Sequence, residues 1–346
     1  MGCQEIKFST PGMVKSYRFM ETQNLQTIPA PPSLIKSLLA GFDAISNHLE
    51  LIVFAICLDV LLWFGPHLRL MDLIKSLFTQ LTDFPELQSG EMDATLEFSQ
   101  QAWLLFAERF NLISMLRTLP VGIPSLMAVK SPLESPFGNP WLFEASSFSA
   151  AGMITVFLIV IGIILGTLYF LAVSQTATIG KLQWNTALNQ WPWAILQVFL
   201  LSLFFIGLLL AISIPLSCLF SVLFLSGLGL EKMSLILILI FGGLLLWWLL
   251  PLVFSPHGIF INKRTMWKSV RDSFRITRQT MPTTGLLILT CFVINEGLNY
   301  LWKIPSENSW FTLVGIVGHS FVATSLLAAS FNYYRDADSW LRVAQT

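Results

Sequence analysis

Charge is scarce in this chain. Of 346 residues only 12% are Asp, Glu, Lys or Arg, about half the share of an ordinary soluble domain. Acids and bases number 20 each, so the formal net charge is zero and no global field argues for nucleic acid or an acidic partner. Cysteine is scarce too. Cys3, Cys57, Cys218 and Cys291 form no CxxC pair and no Cys/His cluster with zinc spacing. The last three fall inside apolar runs and read as small buried apolar residues. There is no P-loop, HExxH, dinucleotide fingerprint or serine-hydrolase elbow, so no enzymatic activity and no cofactor are expected. The first 35 residues lack the apolar core of a secretory signal. The opening "MGC" lacks the hydroxyl residue at position 6 that acylation favours, having Ile6 instead. No internal repeat or low-complexity stretch occurs.

What is abundant is apolar surface: 54% hydrophobic residues, with 28 Phe and 12 Trp. Six segments are long and apolar enough to cross a bilayer, which takes about 20 residues. They run near 45–65, 149–173, 193–225, 233–254, 283–302 and 310–332. The third is too long for one straight span and contains Pro215, which predicts a kink or break. Trp191, Trp193, Trp302 and Trp310 sit at helix ends, as interfacial anchors do. The expected fold is therefore an all-α, six-helix transmembrane bundle. Residues 1–44 form a cytoplasmic N-terminal segment and 45–346 the membrane domain, with 66–148 as an extracytoplasmic insertion.

The connections differ in sign. Residues 66–148 carry nine acids and five bases. Leu96, Trp103, Phe106, Phe110 and Ile113 predict an amphipathic helix there, followed by a Pro- and Gly-rich run from 119 to 140. By contrast "KRTMWKSVRDSFRITR", residues 263–278, holds six cations and one acid. Arg264, Lys268, Arg271, Arg275 and Arg278 make one helical stripe, with Trp267, Val270, Phe274 and Thr277 on the neighbouring stripe. Two readings stand: a positive-inside anchor on anionic lipid, or a dock for an anionic ligand or protein partner. Taking it as cytoplasmic puts both termini inside and leaves 13 of the 20 Lys and Arg there, the acidic insertion outside.

Ionisable groups within spans are expensive and become site candidates. By helix rise, Asp59, Glu296 and His319 fall at one depth, roughly 20 Å from the inner boundary. They are expected to form one intramembrane polar cluster, serving either helix–helix contact or proton-linked transport, with Asn295 and Asn299 beside it. His48 and His319 differ in depth by roughly 15 Å, which excludes bis-His haem. A single-His pigment site at His319 stays open, whereas a mixed-ligand metal has no paired ExxH spacing behind it. Gly162 and Gly166 form a GxxxG, and Gly315 and Gly318 a second small face, either for packing within the bundle or for homodimerisation.

The stretch "SVRDSFRITRQTMPTTGLLIL", preceded by an apolar helix and "SPHGIFINKR", resembles bacterial multi-pass proteins similar to the membrane domain attached to some glycerophosphodiester phosphodiesterases. The shared pattern is an apolar helix, a basic Ser-Phe-x-x-x-Arg segment (here Ser273, Phe274 and Arg278) and another helix. The resemblance implies topology and a non-catalytic role, since no phosphodiesterase domain accompanies it; the long outer loop departs from it. The reading is an accessory, scaffold or assembly subunit of a plasma-membrane complex, with membrane lipid and other subunits as partners. The alternative is a small-solute or ion transporter using Asp59, Glu296 and His319.

Overall fold

A computed structural model of the chain describes residues 32–82, 91–225 and 234–343. Lys7, Lys15, Arg18, Asp83 and Glu86, counted above for topology, lie outside the described residues, as does the Leu96 side chain.

The described chain is almost wholly helical. Five helices are long and apolar enough to cross a membrane: Phe148–Ile179, Trp184–Leu219, Leu239–Asn262, Met281–Lys303 and Thr312–Val343. A sixth candidate is broken. Helix α1 (Leu34–Ser46) meets the Leu49–Phe64 segment at an 88° bend. That segment is a 3-10 turn (Leu49–Ile52) leading into α2 (Val53–Phe64). The expected first span of 45–65 thus gains a preceding helix and a corner. Asn47 caps α1 through Asp43 O. The short polar side chain competes for backbone groups where a helix would otherwise continue.

The insertion holds α3 (Met71–Thr82) and α4 (Glu91–Arg109), which pack on each other. Strands β1 (His67–Arg69) and β2 (Leu142–Glu144) pair in parallel and close its neck. Between them lie a 3-10 turn (Leu112–Leu116) and the single-turn α5 (Met127–Lys130). Trp103 and Phe106 of α4 are about half exposed, while Phe110 and Ile113, expected on the same stripe, lie beyond the end of the helix at Arg109.

The bundle follows. It consists of α6 (Phe148–Ile179), α7 (Trp184–Leu225), α8 (Ser234–Leu249), α9 (Ser255–Asn262), α10 (Met266–Gln279), α11 (Met281–Lys303) and α12 (Thr312–Val343). Pro192 and Pro215 both lie inside α7, which runs on through them, so the expected break at Pro215 does not interrupt the helix. The break falls instead in the fourth apolar run, at the 3-10 turn Leu250–Leu252 around Pro251.

The centre is closely packed. Trp63, Tyr169, Phe331, Tyr333 and Tyr334 are fully buried. Lipid tails are as apolar as leucine, so such association rests on packing and hydrogen bonds. Small residues set its closest approaches. A Cβ on Gly41 of α1 would sit 2.5 Å from Ala329 N and 2.6 Å from Ser325 O of α12. Gly315 and Gly318 receive Trp302 of α11, a contact within the bundle. Gly162 and Gly166 receive no helix. They face the insertion: Leu116 and Thr118 lie against Gly162, and Val121 and Gly122 against Gly166.

Candidate functional site

Asp59 sits on α2 and is fully buried. Its carboxylate accepts the Ser125 hydroxyl at 2.5 Å, Met127 N–H at 2.9 Å and Leu126 N–H at 3.2 Å. These donors open α5. The first N–H groups of any helix lack partners within it, and irregular backbone at membrane depth is tolerated only where protein satisfies it. Asp59 meets that need. It is a cap contributed by a residue 66 positions earlier in the chain than Ser125.

Glu296 and His319 meet through an intermediary. His319 Nδ1 lies 2.8 Å from Asn299 Oδ1, and the Asn299 amide donates to Glu296 Oε1 at 3.3 Å. Asn295 donates to the same oxygen at 3.0 Å. The amide orientation of Asn299 makes Nδ1 the protonated nitrogen of His319, so Nε2 carries a lone pair. That nitrogen is buried without a partner, as are Trp302 Nε1 and Ser320 Oγ.

Arg117, at the C-terminal end of the 3-10 turn Leu112–Leu116, feels both the Asp59 carboxylate and Glu296 of the relay. Its side chain reaches the surface although protein surrounds most of it. That burial pulls the guanidinium below its ordinary value, and the Asp59 and Glu296 carboxylates oppose the shift. Arg117 also acts on His319 electrostatically. Nothing in the sequence singled Arg117 out, because it lies in the insertion and not in an apolar run. Among the described residues, no group of three or more His, Cys, Asp or Glu could hold a metal ion.

The insertion is tied down at a second point. Glu307, between α11 and α12, accepts Leu133 N–H at 2.7 Å and lies 3.4 Å from Arg109. Lys130 Nζ donates to Pro305 O at 2.6 Å, and Trp63 Nε1 to Glu307 O at 2.9 Å.

At the opposite end of the bundle α10 packs with a face of small polar residues. Ser273 Oγ donates to Pro251 O at 2.7 Å and accepts Phe254 N–H at 3.1 Å. Ser269 Oγ donates to Ser255 O at 2.5 Å. These hydroxyls serve the backbone groups freed where the α8–α9 path breaks. Lys268, Arg271, Arg275 and Arg278 project outward and are exposed. Arg264 differs from its stripe. It turns inward to Asp272 at 2.8 Å and Asp338 at 3.2 Å, and its side chain is only 13% exposed. Burial lowers the Arg264 value, but Tyr334, Asp338 and Asp272 outweigh it and raise the group overall. Trp267, expected on the apolar stripe, is 68% exposed and touches the Phe204 ring.

Comparison with family models, with curated proteins and with solved structures finds no match.

Proposed function

We propose that this is a non-catalytic, multi-pass subunit of a plasma-membrane complex, acting as an accessory, scaffold or assembly factor. The observation that carries the reading is the use made of Asp59. An intramembrane carboxylate is by default a functional group, yet every donor it takes comes from the protein's own insertion. The aromatic centre is packed, and the apolar flanks of α7 and α11 are left open, with 22% and 11% of their most apolar windows buried. Those flanks suit lipid or neighbouring subunits. Six spans, with Leu49–Phe64 as the first, put both termini and α10 on the cytoplasmic side and the insertion outside. The alternation of ends supports this: Glu307 meets the insertion, while Arg335 reaches Thr178 O at 3.2 Å at the other end. The resemblance of 269–289 to the membrane domains beside phosphodiesterases accords with a non-catalytic role.

Extraction in mild detergent, with affinity capture on a C-terminal tag and identification of co-purifying chains, tests it. A stoichiometric membrane partner is expected; a strictly monomeric species that transports a solute in liposomes sinks it. The second reading, a proton-linked transporter, draws on the relay from His319 through Asn299 to Glu296 and on Arg117 beside it. It requires Glu296→Gln to abolish a pH-dependent flux at unchanged yield, whereas the subunit reading requires that variant to be mild.

A further inference from the structure

Where α8 ends, α10 ends and α11 begins, a crevice opens on the flank of the bundle. Its walls are Trp247, Trp248, Pro251, Phe274, Thr277 and Met281, with Arg278 completing the lining, and its volume is about 110 Å³. That is about three to four times one water's share of liquid volume, enough for the upper part of an acyl chain. Three features mark it. Arg278 is exposed and has no carboxylate within salt-bridge distance among the described residues; its guanidinium lies 4.2 Å over the Phe274 ring. Thr277 is 1% exposed, and its Oγ1 is buried with no hydrogen-bond partner. Trp247 and Trp248 are 62% and 64% exposed, the position of indoles that settle against headgroups at the end of a membrane helix.

We propose that this crevice is a discrete binding site for one anionic glycerophospholipid, its phosphate held by Arg278 and one chain lying between the two tryptophans and Met281. The chemistry is specific on two counts. A planar guanidinium grips a phosphate through paired N–H groups. The neighbouring Lys268, Arg271 and Arg275 disfavour a headgroup that carries its own ammonium. The proposal deepens the reading that α10 lies on the inner membrane surface and rests on it. It replaces a diffuse stripe with one lipid at one arginine.

The test uses the full chain in nanodiscs of phosphatidylcholine doped with phosphatidylglycerol, ejected intact into a mass spectrometer. One retained phosphatidylglycerol per chain is expected, with retention falling about tenfold in Arg278→Gln, the loss of one charge-assisted contact. Arg278→Lys keeps the charge but not the paired N–H groups, so its retention should fall between those of the parent and Arg278→Gln, and an unchanged unfolding midpoint in both variants shows that the fold survives change there. Met281→Trp, which fills the crevice and keeps the charge, should also lose the lipid. Equal retention of the two lipids, or retention unaffected by Arg278→Gln or by Met281→Trp, overturns the site. Displacement by excess inorganic phosphate overturns it in favour of a free anion. Lys268→Gln with Arg271→Gln should weaken vesicle flotation and spare the retained lipid. If that pair strips the lipid as Arg278→Gln does, only the diffuse stripe is left and the discrete site falls. Failure of the inner-surface reading would appear separately, as labelling of a cysteine at Gln279 from outside the cell.

Discussion

Replacing Asp59 tests whether the insertion is anchored through the membrane interior. Asp59→Leu leaves Leu126 N–H and Met127 N–H without an acceptor and forces Ser125 to redirect its hydroxyl. Each buried donor left unsatisfied costs about 1–3 kcal/mol, so the two amides together cost about 2–6 kcal/mol. Removing a buried charge offsets part of that, and the net loss should fall near 2–4 kcal/mol. Asp59→Asn keeps one acceptor oxygen and should lose about 1 kcal/mol. At roughly 2 °C per kcal/mol for a long chain, the unfolding midpoint in detergent should drop about 4–8 °C for Leu and about 2 °C for Asn. The damage should be local first. Met127 is 1% exposed, so a cysteine there should label slowly in the parent and much faster beside Asp59→Leu. Combining Asp59→Leu with Ser125→Ala should cost less than the sum of the two, because they break one bond. An Asp59→Leu protein with an unchanged midpoint and a protected Met127→Cys would refute the anchor.

Three further outcomes follow from other contacts. A Cβ at Gly162 would run into Leu116 O and the Thr118 methyl, so Gly162→Ala should cost about 1–3 kcal/mol. It should loosen the insertion, as proteolysis of 110–133 would report, and leave the oligomeric state alone; a change in oligomer with the insertion intact would restore the dimer-seam reading. In a background lacking native cysteines, Gln101→Cys and Gln279→Cys should label from opposite sides with an impermeant thiol reagent. Both positions are exposed, whereas Ser269 is wholly buried and unsuitable; labelling from one side ends the six-span arrangement. His67 is held below its ordinary value of 6.5, chiefly by burial, with Leu62 O as its bond partner at 3.1 Å. Its folded form therefore disfavours the proton, and stability should decline as pH falls below about 6.5 until the lower folded value is reached. Midpoints measured from pH 8 to pH 5 should show that slope, and His67→Gln should flatten it; identical slopes would remove His67 from the effect.

The apolar runs were legible because a bilayer demands a fixed length of apolar helix, and five of them stand as helices long enough to cross. The polar face of α10 was legible from the spacing of its bases. Its inward exception was not. Arg264 keeps the stripe's spacing in the sequence but precedes α10, which begins at Met266, and only the fold brings Asp338, 74 residues later, to its guanidinium. The depth estimate grouped Asp59, Glu296 and His319 by height alone, while azimuth decides partners. Asp59 turns to the insertion, and the other two turn to Asn299. GxxxG told that something approaches α6 closely but could not tell that a loop, not a helix, does so. The corner at Asn47–His48 carried no Pro or Gly to announce it.

The tether between Trp63 and Glu307 spans 244 residues, and α1 rests against α12, the last helix among the described residues. A ribosome delivering this protein to the membrane therefore releases its first half with its closing contacts still untranslated. Until α11, α12 and the turn between them emerge, the insertion has nothing to lean on at Glu307 and α1 has no groove to enter. Maturation is then a property of the completed polypeptide and not of successive hairpins. A nascent chain stalled before residue 304 should present its insertion to membrane proteases, and the full-length chain should not. Truncations at the far carboxyl end should consequently be read out at residues near the amino end.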